Sequence, residues 1–169
     1  MRSTKRWLAL LMCVILSVSV MACAKKTDTG NGDGAEDAFS VTYNGVTIPL
    51  GSGAEKTLEA LGEPSFSQEV FDCGEGNSRM CYRYASLVLY TMKSTDGKET
   101  VDQIEVNDDL VETDKGIAIG SSTADVEDAY GAPTEKKSDE WVYTSGKYQL
   151  IFDVKDGKVD GIGLLRKTK

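Results

Sequence analysis

The chain has 169 residues, with 27 Asp or Glu against 19 Lys or Arg and no histidine, a formal charge of −8. A surface of that sign repels phosphate backbones, so nucleic acid is not an expected partner. The missing histidine removes the commonest general base and metal ligand together, and neither a G-x-S-x-G, a Ser-x-x-Lys nor a phosphate-binding glycine loop occurs. The expectation is a protein that is not an enzyme and holds no cofactor and no metal.

Residues 1–22 read as an export signal. Arg2, Lys5 and Arg6 form a positive start, Trp7 to Met21 is an apolar stretch, and the small Ala22 precedes Cys23. Fifteen residues fall short of the ~20 that a membrane-spanning helix needs, which favours a removed segment over a permanent span. V-M-A-C at Val20 to Cys23 resembles the lipobox of bacterial lipoproteins, with Val20 where leucine is usual. The resemblance implies that Cys23 carries diacylglycerol on its sulfur and becomes the N-terminus, anchoring the protein on the extracytoplasmic face of the cell membrane. More than one acyl chain makes such a tether stable. Loss of residues 1–22 removes three basic and no acidic side chains, leaving a charge of −11.

Residues 23–40 are then the lipidated cysteine and a linker. Ala24 to Ser40 is polar and Gly-rich, too poor in apolar groups to order itself. A flexible coil of this length reaches about 20–25 Å. The remainder divides into residues 41–110 and residues 111–169, because one stretch is written twice. Ile48 to Pro64 and Ile117 to Pro133 share Ile, Gly, Ser, Ala, Gly and Pro at the same offsets.

In the first copy, Val41–Tyr43 and Val46–Ile48 alternate around Asn44-Gly45, which predicts a hairpin. Ser52 with Glu55 reads as a capping box, Ala54, Leu58 and Leu61 share a helical face, and Gly62 and Pro64 end the helix. Strands are expected over 80–84, 87–92 and 101–106. The second copy repeats this grammar. Ser122 and Asp125 stand in capping-box relation, Val126, Ala129 and Tyr130 make the apolar stripe, and Gly131 and Pro133 stop the helix. Strands are expected over 141–144, 148–154 and 159–165. The fold class read from this is α+β: two tandem repeats of a short helix plus an antiparallel β-meander, with the helices on one face of the sheet.

Cys73 and Cys81 bracket C-G-E-G-N-S-R-M-C, whose glycines and asparagine let the chain turn back. In an oxidising compartment they are expected to form a disulfide, worth about 2.5 kcal/mol by loop entropy. A redox or metal pair lacks the C-x-x-C spacing and further soft ligands.

Tandem helix-plus-meander units whose helices read G-x-x-x-x-x-x-x-x-A-x-G-x-P, behind a lipoprotein signal, resemble the β-lactamase-inhibitor-protein-like fold and the BamE-type outer-membrane-assembly lipoproteins. They are similar also to two-copy lipoproteins of single-membrane bacteria. The resemblance covers residues 41–169 and implies a long sheet whose open face grips a partner. It carries over no contact residue, and fold does not fix function.

Strand alternation points Tyr82, Tyr84, Leu87, Leu89, Ile104, Trp141, Tyr143, Tyr148, Leu150 and Phe152 at the helices, as core. Arg83, Val88, Tyr90, Met92, Val142, Gln149 and Ile151 face the other way and make the candidate binding face. The acidic runs Asp108-Asp109 with Glu112 and Asp114, and Asp139-Glu140, fall in connections, where solvated loops are the expectation over a calcium site. The function expected is a membrane-anchored binding module for a protein or envelope component. The alternative is an inhibitor or regulator of a cell-wall enzyme, or a cell-surface hydrolase using carboxylates.

Overall fold

The fold is seen in a computed structural model that describes residues 38–71 and 78–167. Among them the chain forms eleven strands and two helices. A hairpin of β1 (Ser40–Tyr43) and β2 (Val46–Pro49) leads into α1 (Ala54–Leu61). Strands β3 (Phe66–Phe71), β4 (Ser78–Arg83), β5 (Leu87–Lys93) and β6 (Glu99–Val106) follow, then the short β7 (Val111–Thr113) and α2 (Thr123–Tyr130). The last strands are β8 (Glu135–Lys136), β9 (Glu140–Ser145), β10 (Tyr148–Lys155) and β11 (Lys158–Arg166).

The expected α+β architecture of two tandem helix-plus-meander repeats is not what the chain adopts. The protein is mostly β, with two eight-residue helices beside one eight-stranded sheet, β3-β4-β5-β6-β11-β10-β9-β8, and a separate three-stranded sheet, β2-β1-β7. The difference comes from β3, β7 and β8, which sequence periodicity does not announce. Phe66 to Glu69 of β3 are exposed, a mix of polar and apolar groups that does not alternate with burial and so does not reveal a strand. β7 and β8 have three and two residues. The three-stranded sheet also draws on both sides of the 110/111 boundary, since β7 pairs with β1 through Val41↔Thr113 and Tyr43↔Val111.

All pairings are antiparallel, and their registers line up residues of one kind across the large sheet. Tyr82, Leu89, Ile104, Leu164, Leu150 and Tyr143 stand opposite one another on successive strands, as do Leu87, Val106, Ile162, Phe152 and Trp141. Apart from the half-buried Tyr82 all of these are buried, and they make one side of the core. Val41, Tyr43, Ile48 and Val111 of the small sheet supply the other side, with Ala54, Leu58 and Leu61 of α1 and Val126, Ala129 and Tyr130 of α2. At about 25 cal/mol per Å² of apolar area, this burial is the main stabilising term.

The two helices start differently. Ser122 caps α2 as its sequence predicts: its hydroxyl accepts from the Asp125 amide at 3.1 Å, and the Asp125 carboxylate accepts from the Ser122 amide at 3.0 Å. The box expected at Ser52 and Glu55 does not form. Gly53 is the N-cap of α1 without a side-chain bond, and the Ser52 hydroxyl donates instead to the Pro49 carbonyl at 2.7 Å. Both helices end alike, on Gly62 (φ 75°, ψ −162°) and Gly131 (φ 74°, ψ −156°), a backbone region open only to glycine. A tyrosine from the sheet donates to each of these glycine carbonyls, Tyr84 to Gly62 at 3.2 Å and Tyr143 to Gly131 at 3.0 Å.

Candidate functional site

With one face of the large sheet turned to the core, alternation along each strand puts the intervening residues on the other face. One rung crosses all eight strands: Phe66, Arg83, Val88, Glu105, Gly163, Ile151, Val142 and Glu135. The next reads Gln68, Cys81, Tyr90, Gln103, Leu165, Gln149 and Thr144. Six of the seven candidate face residues, Arg83, Val88, Tyr90, Val142, Gln149 and Ile151, therefore lie in two adjacent rungs. Met92 lies beyond them on β5, opposite Arg79.

They are not equally available. Val88 and Val142 are only 6% and 4% exposed, shielded by their neighbours on the face, whereas Arg83 is exposed and Tyr90, Met92, Gln149 and Ile151 are half-buried. Cys81, the candidate disulfide residue, is buried on β4. Its expected partner Cys73 lies outside the described residues, as does the candidate lipidation residue Cys23.

A polar chain crosses the β4 to β6 part of this face. The Arg79 guanidinium meets the Asp102 carboxylate at 3.1 Å and donates to the Gln103 side-chain oxygen at 2.8 Å. The Gln103 amide donates in turn to Glu105 at 2.8 Å. Arg79 also lies 5.3 Å from the Tyr90 ring centre, in cation–π range. Asp102 is the extra residue of a β-bulge, where the β5–β6 register slips between Tyr90 and Thr91. Its side chain is 8% exposed, and Arg166 at the end of β11 approaches its second oxygen at 3.5 Å. One buried carboxylate thus holds guanidinium groups from β4 and β11 together. Burial raises the Tyr90 phenol above its ordinary value, with the Glu105 carboxylate adding to the effect.

The β11 part of the face is a furrow. Gly161 and Gly163 stand two apart on β11, so the strand presents no side chain on this side at either position. The result is a depression of about 410 Å³ between Gln103 and Glu105 of β6 and Ile151 and Asp153 of β10. Asp153 leans over its cross-strand partner Gly161, where a Cβ would stand 2.7 Å from the carboxylate oxygen; glycine is what makes room for it. Burial holds the Asp153 carboxyl above the usual carboxylate range, and Glu140, Asp160 and Asp139 push it the same way.

Sequence alternation foretells most of the face but neither the furrow nor the Asp102 contact. The furrow has a sequence signal, the D-G-I-G run from Asp160 to Gly163, because two glycines at strand spacing clear one face. Asp102 has none, since a bulge shifts its side chain out of simple alternation. Among the described residues no three His, Cys, Asp or Glu side chains converge as a metal site. Two members of the Asp108–Asp114 run are engaged locally: Asp108 accepts from the Leu110 amide and Asp114 from the Tyr130 hydroxyl.

No family model and no curated protein matches the chain. Among solved structures, the crystal structure of a DUF4309 family protein (YjgB) from Bacillus subtilis is similar to it, at 17% identity over 69% of this chain and 79% of that one, with a TM-score of 0.39.

Proposed function

We propose that the protein is a lipid-anchored binding module on the extracytoplasmic face of the cell membrane, holding a protein or envelope component against the open face of its eight-stranded sheet without acting on it chemically. The observation that carries the reading is the composition of that face. A sheet face turned to solvent is ordinarily polar, yet this one places Phe66, Tyr90 and Met92 beside Arg79 and Arg83, with Ile151 farther along the rung of Arg83. Aromatic residues, Met and Arg are the types enriched at protein contacts. The anchor rests on Cys23 and the lipobox-like V-M-A-C. No helix among the described residues is long and apolar enough to cross a membrane.

A photo-cross-linking amino acid at position 90, on the open face, is expected to capture a discrete envelope species, and the same group at Glu59 on α1 is not. Capture from both positions or from neither overturns the reading. Cys23→Ser is expected to shift the protein from the detergent phase to the aqueous phase on phase separation; unchanged partition overturns the anchor.

One observation favours the second reading, a carboxylate hydrolase: Glu140 and Asp153 are cross-strand neighbours, and the Asp153 carboxyl is held above its ordinary range. Such an enzyme loses cell-wall-polymer hydrolysis in Asp153→Asn, whereas a pure binding module shows no hydrolysis to lose.

A further inference from the structure

We propose that the partner presents a cationic extended segment, a stretch of polypeptide with Lys or Arg at alternating positions, which lies along β11 in the furrow floored by Gly161 and Gly163. The inference rests on the open-face reading and adds the chemistry of the partner.

Shape sets the first limit. β6 and β10 flank β11 and stand two strand spacings apart, about 10 Å, while one extended chain occupies about 5 Å. Over Gly163 nothing lies within 4 Å of the place a Cβ would take, so the floor is open. At its ends the Asp153 carboxylate leans over Gly161 and the Leu165 side chain stands on the same face, about 14 Å apart along the strand, so a segment of four or five extended residues rests its middle over Gly163. A helix, about 10 Å across with its side chains, does not enter a slot one strand wide.

Charge sets the second. Glu105 stands on one wall, and Asp153 with Glu140 on the other. Among the described residues Glu105 receives only the Gln103 amide, and Asp153 has no cationic neighbour in contact. Glu140 is paired with Lys137 at 2.6 Å, an exposed contact of the kind that contributes little and exchanges readily. Desolvation is the first cause that raises Asp153, and the part that its neighbouring carboxylates add is offset by a cation and worsened by an anion. Ile151 lies between them on the β10 wall, where the methylene stem of a lysine packs while its ammonium reaches the rim. Carboxylates at the end of an apolar wall fit a long cationic side chain better than a bare ion.

The test uses the full-length chain in uncharged detergent and a fluorescein-labelled hexapeptide, Lys-Thr-Lys-Thr-Lys-Thr, followed by anisotropy, with the glutamate counterpart as control. Wild type is expected to bind the lysine peptide, more weakly as salt rises, and to ignore the glutamate peptide. Gly163→Val fills the furrow without touching its charges, and Glu105→Gln/Asp153→Asn removes charges without filling it. Each is expected to weaken binding at least about tenfold, the loss of one well-made charged contact. Glu59→Gln/Asp128→Asn, which removes two charges from the helices, is expected to stay within about twofold of wild type. Unfolding curves of all variants verify that they fold. Undiminished binding by folded Gly163→Val overturns the furrow as the seat, and absence of binding by wild type overturns the cationic partner. Discrete cross-linking from position 90 in either of those cases leaves the open-face reading standing, so the two failures are separable.

Discussion

Asp153 and Asp125 are both aspartates at strand or helix positions, and their surroundings push them in opposite directions. Asp153 is exposed at its rim but loses part of its solvation against the sheet and stands near the Glu140, Asp160 and Asp139 carboxylates, so the folded chain holds its proton more tightly than the unfolded chain does. Its ionisation therefore opposes folding. The destabilisation is absent below the ordinary aspartate range, grows as pH rises from there through the raised folded value, and is complete at neutrality. Asp153→Asn is accordingly expected to raise the melting temperature at neutral pH and to leave it nearly unchanged at about pH 3; a variant less stable than wild type at neutrality contradicts this. Asp125 behaves the other way. The Ser122 hydroxyl and amide hold its carboxyl below the ordinary value, so its contribution is present above the unfolded value and lost as pH falls through the folded one. Asp102 sits between two guanidinium groups at 8% exposure, and deleting either arginine leaves a buried carboxylate short of a partner.

At the level of single elements, the two helices show how far local signals reach. Both have the same length and the same glycine stop, yet only α2 has its capping box. Ser122→Ala is expected to cost about 1 kcal/mol in urea denaturation, by loss of the cap; an unchanged midpoint removes the cap from the account of stability. The Ser52 hydroxyl faces a different competition, because the Pro49 carbonyl lies within reach before the helix begins. The Asn44-Gly45 and Asp156-Gly157 turns are legible because positive φ at both positions (50° and 79°; 51° and 74°) demands those residue types. The buried strands β5, β6, β9, β10 and β11 are legible because one face of each must be apolar. β3 escapes for the converse reason. As an edge strand whose residues Phe66 to Glu69 are exposed, it is held by backbone bonds to β4, and those leave no imprint on side-chain pattern. The candidate face follows from the same alternation, which is why Arg83, Tyr90 and Ile151 are placed together, while the bulge at Asp102 and the crowding around Asp153 depend on which strands become neighbours.

For the whole molecule, strand order decides what the repeated sequence stretches do not. A pattern written twice suggests two units, but the large sheet runs unbroken through the β6–β11 pair, and the small sheet ties β7 to β1. Stability should be distributed accordingly. Amide exchange in β5, β6, β11 and β10 is expected to proceed only through global unfolding, whereas β3 and β8, each bonded on one side only, should exchange through local opening with far less protection. Equal protection across all eight strands would contradict a sheet whose edges open independently.

The strand described last in the chain, β11, is fifth of eight in the sheet, and every hydrogen bond between the first four strands and the last three passes through it. Its neighbour β6 ends more than fifty residues earlier, so their contact closes a long loop, the kind of step that makes folding slow. A growing chain therefore carries an unclosed seam, with the rim of β6 bare, until Lys158–Arg166 has emerged. Truncation before that strand would leave two disconnected half-sheets, each with a fresh sticky border, and aggregation would be the visible outcome.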